Sequence, residues 1–195
     1  MHDSGDQILR RVERSYHERF ETSPLRASVS FVGVNPIEVL LYRDSSDPTV
    51  QVSNYLTLGM SSSPMTEPGE AVVNESGPRA ELELTLLGAP DEAWRQLAIL
   101  AAGPAVESAV YRVNDRIDLG AAWLPGSRCS GAVLVASDLV AVPVGTGQVE
   151  ILRVVPATDT ELAWARVHGT QRLLELWQAV GTELRDLYRA PVPLG

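Results

Sequence analysis

The segment from Asn54 to Leu86 constrains the fold of this chain more than any other stretch. Its last part alternates strictly between polar and apolar residues: Arg79, Glu81, Glu83 and Thr85 on one side, Ala80, Leu82, Leu84 and Leu86 on the other. Successive residues of a β-strand point to opposite faces of the sheet, so this pattern predicts a strand with one buried face. We expect the other face to be solvated or to meet a partner. The first part, through Leu58, predicts a second strand that ends at Gly59.

Further strands are predicted on both sides of this segment. Short apolar runs bounded by turn residues indicate them. Their predicted bounds are Ala27–Val34, Ile37–Tyr42, Gly131–Ala136 and Gln148–Val155, and the strand through Leu58 is predicted to start at Thr49. A brief strand is also expected after the turn at Asn114. Closely spaced strands joined by short turns favour antiparallel hairpins.

Helices are predicted at both ends of the chain and once in the middle. Apolar residues spaced about four apart predict an amphipathic helix from Asp6 to Phe20. Ser4 with Gln7, and Thr158 with Glu161, match the capping box that starts a helix. The last helix is expected to run through Leu187.

Two interruptions are predicted within these helices. A middle helix, with Trp94, Leu97, Ala98 and Ala101 on its inner face, is expected to break at Gly103-Pro104 and to resume over Val106–Val110. Gly181 lies inside the last predicted helix, where glycine costs about 1 kcal/mol relative to alanine, so a bend or a close approach is expected there.

These elements together predict an α+β fold. We expect a mixed, largely antiparallel β-sheet with helices packed on it, including an N-terminal helix and a C-terminal helical pair. A length of 195 residues suits one domain. Within residues 1–195 the expected parts are the N-terminal amphipathic helix at 1–22, the sheet region at 27–155 and the C-terminal helices at 158–188.

Composition excludes several classes of function. A net charge of −9 argues against nucleic-acid binding, which requires clustered basic residues. No apolar stretch is long enough to span a bilayer, and the polar start at Met1 does not resemble a signal peptide. The single cysteine, Cys129, cannot form an internal disulfide and is expected to be a small buried residue. We therefore predict a cytoplasmic protein that contacts neither nucleic acid nor membrane.

The sequence contains no recognisable catalytic or metal-binding motif. His2, His17 and His168 lie far apart, without the spacing of a metal site, and no nucleophile elbow is present. Glu81 and Glu83 would lie roughly 6–7 Å apart along a strand, a separation that could serve acid–base catalysis. Solvated strand glutamates are commoner, so we predict no catalytic residue, no metal and no cofactor.

A polar recognition face is the candidate binding site. If the two central strands pair, Arg79, Glu81 and Glu83 could lie beside Tyr55 and Thr57. Tyr55 would add an amphipathic anchor of the kind favoured at interfaces. An ordinary solvent-facing sheet surface is an equally good interpretation of the same pattern.

Several segments together resemble the Suppressor of fused domain family. They are the Tyr55–Ser61 strand end, the Arg79–Leu84 strand, Gly126-Ser127, Val154-Val155-Pro156, Arg166–Gly169 and Gly181–Asp186, and they occur in family order. The resemblance implies a binding domain and not an enzyme. In animals, the two-domain protein holds a short extended peptide between its domains, but this chain has the length of the N-terminal type of domain alone, so that clamp is not carried over.

A single-domain bacterial member of this family is expected to bind another protein inside the cell. The resemblance implies an immunity protein (antitoxin) or a regulatory adaptor, with a basic toxin or a regulatory protein as partner. The acidic surface would suit a basic partner through complementary charge. The long Ser61–Gly77 loop is the first place where disorder or partner contact is expected.

Two other classes of function stay open at this point. The chain could be an enzyme or a small-ligand protein with a pocket around Tyr55–Ser61 and Arg79–Glu83. It could also be a structural homodimer that exchanges its first helix or an edge strand between subunits.

Overall fold

The computed structural model of the protein describes residues 4–44, 50–67, 69, 74–90, 92–145 and 147–194. Within these ranges the helices are α1 (Gly5–Arg19), α2 (Ala93–Glu107), α3 (Asp159–His168) and α4 (Thr170–Val180). The strands are β1 (Leu25–Val29), β2 (Ile37–Asp44), β3 (Val52–Leu58), β4 (Arg79–Leu87), β5 (Arg116–Asp118), β6 (Cys129–Ala136), β7 (Val142–Val144) and β8 (Gly147–Thr158). A 3₁₀ turn at Met60–Ser62 follows β3.

The strands form a single mixed sheet within the described ranges. Their order is β1-β2-β3-β4-β8-β6-β5, and β7 pairs with the start of β8. The β4–β8 pair is parallel, and the other recorded pairs are antiparallel. The predicted α+β class, with a largely antiparallel sheet, an N-terminal helix and a C-terminal helical pair, is confirmed.

One face of the sheet packs against α2. The apolar side of β4, carrying Leu82, Leu84 and Leu86, lies in this core with Leu97 of α2 and the fully buried Trp123. This face is continuous because α2 and the segment around Trp123 cover it together. The predicted apolar side of β4 is confirmed.

The opposite face is covered by two separate helical layers. Helix α1 packs Ile8, Val12 and Tyr16 into a core with residues of β2, β3 and β7, and this core reaches Val149 and Ile151 in the first half of β8. Helices α3 and α4 cover the second half of that strand. Arg153 lies between these two halves, so the two layers leave a gap over the middle of the sheet.

Several strand boundaries differ from the prediction by a few residues, and the end of β1 differs most. β1 ends at Val29 and not at Val34, because the chain turns there: the Val34 N–H donates to the Phe31 carbonyl at 3.2 Å. β3 begins at Val52, and the predicted start at Thr49 falls outside the described residues. The sequence patterns do not predict strand β7.

The predicted break in the middle helix is wrong. Helix α2 continues through Pro104 and ends at Glu107, and Val106–Val110 do not form a resumed helix. Proline lacks an N–H, so the Leu100 carbonyl four residues earlier loses its usual donor. The Tyr111 hydroxyl supplies one at 2.9 Å, and Gly103 leaves room for it, since an added Cβ would lie 2.2 Å from that oxygen.

The bend or close approach predicted at Gly181 is also wrong, because α4 ends there and the space around Gly181 is open. Gly181 adopts the left-handed conformation (φ 67°), and the Thr182 N–H donates to the Trp177 carbonyl at 2.9 Å. This is the usual way in which glycine terminates a helix. The chain then returns across the sheet, where the Arg185 carbonyl accepts from the Leu87 N–H at 3.0 Å.

None of the helices in the described ranges has both the length and the apolar character that crossing a bilayer requires.

Candidate functional site

The polar side of β4 is buried, contrary to the expectation of a wet face. Arg79, Glu81 and Glu83 are all buried, as are Tyr55 and Thr57. Helix α1 covers this side, and its Tyr16 hydroxyl donates to the Thr57 carbonyl at 3.1 Å. The prediction that these five residues take part in binding stays a prediction, but they do not form an exposed recognition face.

Glu81 organises the end of β3. Its side chain is fully buried (0% exposed) and accepts four hydrogen bonds. The donors are the Thr57 hydroxyl (2.6 Å), the Gly59 N–H (2.9 Å), and the Ser61 N–H (2.9 Å) and hydroxyl (2.7 Å). Burial raises the pKa of Glu81, and these hydrogen bonds oppose that effect. The carboxylate therefore has a structural role in holding the turn after β3.

Arg79 supports the same turn. Its Nη1 donates to the Ser61 carbonyl at 2.9 Å, and its Nη2 lies 3.5 Å from the Glu75 carboxylate. Burial lowers the pKa of Arg79, and the charge of Glu75 opposes this shift. Arg79 thus serves local structure at this position.

Tyr55 lies on the other face of the sheet from Glu81 and Glu83. Strands β3 and β4 do pair as expected, but Tyr55 is directly opposite Leu84 and so shares its face. Its hydroxyl donates to the Pro90 carbonyl at 3.2 Å. The pocket proposed around Tyr55–Ser61 and Arg79–Glu83 is therefore not favoured, because hydrogen bonding and packing fill this region.

A cleft of about 910 Å³ opens in the gap between the two helical layers. The sheet lines it with residues of β2, β3, β4, β6 and β8, and the other lining residues come from the end of α1, the turn after β6, α4 and the segment that follows α4. Residues that line it include Phe20, Arg43, Asn54, Glu83, Thr85, Val135, Asp138, Arg153, Val155, Leu174, Leu184 and Arg185. Of the five predicted binding residues, Glu83 is the one that lines this cleft.

The cleft lies where β4 and β8 part. Their pairing runs from Arg79 with Val149 to Glu83 with Arg153, and no pairing is recorded beyond that point. The remaining half of β8 pairs with β6, and the remaining half of β4 pairs with β3. The returning C-terminal segment closes one end of this opening through Arg185.

A charged cluster lies at the point of divergence. The Arg153 Nε donates to the Glu83 carboxylate at 3.2 Å, and its Nη2 donates to the Asp138 carboxylate at 2.7 Å. The Ser137 hydroxyl also donates to Glu83. The sequence patterns do not indicate this cluster, because β4, β8 and the turn after β6 bring together residues that are far apart in the chain.

A buried ion pair between Arg189 and Glu161 supports the cleft wall. Glu161 accepts from Arg189 Nη1 at 2.7 Å and Nη2 at 2.9 Å, and also from Trp177 Nε1 and the backbone of Thr158 and Val192. Burial alone would raise the pKa of Glu161, but these donors, with Arg189 first among them, lower it overall. The Thr158–Glu161 capping box is confirmed, whereas no local signal indicated that Glu161 would also bind Arg189.

The other residues considered for chemistry lie in structural settings. Cys129 is buried as expected, and burial raises its pKa to about 11, so the thiolate form is disfavoured. His168 stacks on Trp164 with ring centroids 4.3 Å apart. Within the described ranges, no three His, Cys, Asp or Glu side chains converge as metal ligands would.

The fold matches several solved structures. The protein in the crystal structure of the Sufu–Fu complex is 16% identical, with a TM-score of 0.67, over 96% of this chain and 91% of that one. A Suppressor of fused homologue from Neisseria gonorrhoeae is 13% identical, also with a TM-score of 0.67, over 96% and 98% of the two chains. Drosophila Suppressor of Fused is 15% identical with the same score, and the chain spans 50% of its length.

Sequence comparison gives the family. Curated protein sequences contain no significant match to this chain. The model of the Suppressor of fused protein family matches residues 33–190, which is most of the chain and includes strands β2 to β8 and helices α2 to α4. The chain therefore belongs to the Suppressor of fused family.

Proposed function

We propose that this chain is a non-enzymatic protein-binding module that takes an extended segment of a partner protein into the cleft. The observation that carries the proposal is the opening between β4 and β8, where two strands diverge under a gap between helical layers. An extended segment suits such a site because neighbouring strands can offer it main-chain hydrogen bonds while side chains of the walls select its sequence.

The chemistry of the cleft supports binding over catalysis. Its charged groups at the point of divergence are paired with one another: Arg153 holds Glu83 and Asp138. Mixed polar and apolar walls are typical of recognition sites. The similar fold in the Sufu–Fu crystal structure belongs to a protein in complex with a partner, which also supports protein binding.

Within this class, we propose an immunity protein or a regulatory adaptor as the biological role. The net charge of −9 supports a basic partner, because complementary fields accelerate the encounter of two proteins. A cytoplasmic location would suit both roles, and the free, buried Cys129 is compatible with a reducing compartment.

A blocking substitution in the cleft tests the proposal. Thr85 lines the floor and is half-buried, so Thr85→Arg would place a long charged side chain across the opening. We expect the wild-type chain to capture a stoichiometric partner from its native cells, and Thr85→Arg to reduce that capture at least about tenfold, a loss of roughly 1.4 kcal/mol. Quantitative mass spectrometry of the captured proteins gives the ratio.

The matched control is Thr160→Arg. Thr160 is exposed on α3 and is not among the cleft residues, so the same substitution there should leave capture unchanged. Equal stability of both variants against urea would exclude unfolding as the cause. Capture that survives Thr85→Arg, or that never exceeds background with the wild type, would contradict binding through the cleft.

A further inference from the structure

Arg153 has the features of an anchor for a partner's acidic group. It lies on the cleft floor between the two helical layers, and its side chain is 30% exposed. Its Nε is bound by Glu83 and its Nη2 by Asp138. Within the described part of the chain, its Nη1 has no hydrogen-bond partner. Arginine is suited to this task because its planar group can bind a carboxylate through two parallel hydrogen bonds.

The two carboxylates on Arg153 differ in how firmly they are held. Glu83 is 6% exposed and also accepts from Ser137, so it is a fixed part of the floor. Asp138 is 86% exposed and lies between β6 and β7, and among the described residues Arg153 is its one ion-pair partner. An exposed ion pair of this kind contributes little to stability, so another carboxylate could replace Asp138 at little cost.

The surroundings of Asp138 favour a carboxylate. Hydrogen bonding and charge from Arg153, with a smaller effect from Arg19, lower the pKa of Asp138. Both arginines line the cleft. These two arginines therefore favour a carboxylate at the position of Asp138, although the chain as a whole carries −9.

A basic group is disfavoured at the same position. It would have to compete with Arg153 for Glu83, whose carboxylate is already satisfied by Arg153 and Ser137. Removing one partner from a buried pair leaves an uncompensated charge, which is strongly unfavourable. The apolar walls at Phe20 and Leu174 suit uncharged neighbours of the acidic residue.

We infer that the cleft selects partner segments that carry an internal aspartate or glutamate, whose carboxylate replaces Asp138 on Arg153. Asp138 is then an intramolecular competitor that occupies the anchor until a partner binds. This inference rests on the proposed function and adds the chemical identity of the bound segment. A partner that is basic overall is compatible with this inference. Long-range attraction between the two proteins depends on their net charges, whereas the contact with Arg153 depends on one acidic residue of the partner.

The test uses displayed random peptides of about ten residues, which span about 33 Å when extended. The baits are the wild-type chain, Arg153→Met, Asp138→Asn and the cleft-blocking Thr85→Arg. We expect peptides enriched by the wild type to share one acidic position, and this preference to disappear with Arg153→Met. Because Arg153→Met leaves Glu83 without its cation and could impair folding, Asp138→Asn provides an independent measurement at an exposed residue.

Affinities of one enriched peptide and its Glu→Gln or Asp→Asn counterpart then measure the contact. On the wild-type chain, we expect the neutral peptide to bind about tenfold more weakly than the acidic one, as for a partly desolvated charge pair. On Arg153→Met, the two peptides should differ in affinity by less than about twofold. Asp138→Asn should strengthen binding of the acidic peptide about threefold and leave the neutral peptide unchanged. Arg26 is exposed and is not among the residues that line the cleft, so Arg26→Met should change neither affinity.

The outcomes separate the two proposals. Enriched peptides that are lost with Thr85→Arg but lack an acidic position, or that keep their acid preference with Arg153→Met, would overturn the acidic anchor and leave the binding module intact. An Asp138→Asn chain that binds the acidic peptide no more tightly would overturn the competitor role. A wild-type chain that enriches no peptide sensitive to Thr85→Arg would overturn both proposals.

Discussion

Replacing Arg189 by alanine is expected to lower the free energy of unfolding by about 3–5 kcal/mol, the usual cost of leaving one charge of a buried ion pair without its partner. Arg189 and Glu161 are both buried, and two hydrogen bonds of 2.7 and 2.9 Å join them. The guanidinium also lies over the Trp177 ring, 5.4 Å from its centroid, and donates to the Pro156 carbonyl. The substitution therefore loosens the C-terminal segment from α3, α4 and β8 together.

The measurement is urea-induced unfolding, with Arg185→Ala as the matched control. Arg185 lies four residues earlier in the same segment, but its ion pair with Glu183 is exposed on both sides. Such pairs contribute about 0–1 kcal/mol, so the control should lie close to the wild type. An Arg189→Ala chain as stable as Arg185→Ala would show that the buried pair does not hold the segment in place.

The contribution of this pair should disappear in acid. Because the folded-state pKa of Glu161 is lowered, the stabilisation is present above the unfolded pKa of about 4.3 and is lost as the pH falls through the folded value. The difference in unfolding free energy between wild type and Glu161→Gln should therefore shrink below about pH 4. A difference that is constant with pH would contradict the ionised pair.

Replacing Glu81 by alanine is expected to lower the free energy of unfolding by about 3–5 kcal/mol. The substitution leaves buried donors without an acceptor, at about 1–3 kcal/mol each, and some of these donors find other partners. The carboxylate accepts four hydrogen bonds from Thr57, Gly59 and Ser61. Gly59 cannot move freely to compensate, because an added Cβ there would already lie 2.6 Å from the Pro36 carbonyl. The turn after β3 and the docking of α1 on it should both be weakened.

Glu38→Ala is the control for Glu81→Ala. Glu38 is also a strand glutamate, but its side chain is 40% exposed and pairs with Arg26. Glu38→Ala should therefore lower the free energy of unfolding, measured with urea, by no more than about 1 kcal/mol. Glu81→Gln keeps one acceptor oxygen for three of the four donors and should cost less than alanine. Equal stability of Glu81→Ala and Glu38→Ala would show that the network is dispensable.

The pH dependence at Glu81 should have the opposite sign to that at Glu161. Burial raises the folded-state pKa of Glu81, so its contribution is full below the unfolded pKa of about 4.3 and falls as the pH rises through the folded value. Glu81→Ala should therefore cost more in mild acid than at alkaline pH. Measuring both glutamate variants over the same pH range lets each serve as the control for the other.

Local patterns predict much of the secondary structure. The alternation at Arg79–Leu86 and the capping boxes at Ser4 and Thr158 correspond to β4, α1 and α3 in the structure. These signals depend on neighbours within a few residues, and the physics of strand pleating and helix capping acts over the same distance. The same local view fails at Pro104, where Tyr111 supplies the donor that keeps α2 continuous.

Part of the candidate site is also predictable. The polar side of β4 points to Glu83, and this residue does line the cleft. Its companions Arg153 and Asp138 are not predictable in this way, because they come from separate strands and loops and carry no motif. The prediction for Tyr55 is wrong about the face of the sheet, because Tyr55 lies opposite Leu84. Alternation along one strand shows which of its own residues share a face, but not which residues of the neighbouring strand lie on that face.

The α+β class, the alternation along β4 and the starts of α1 and α3 can be read from the chain alone, because they follow from short-range periodicity and capping. Three other features appear only in the folded molecule: α1 buries the polar side of β4, Glu161 pairs with Arg189, and β4 and β8 part at Glu83 and Arg153 to open a cleft. The contact between Glu83 and Arg153 joins residues 70 positions apart. Burial and charge pairing at such separations are set by packing, which no local pattern encodes.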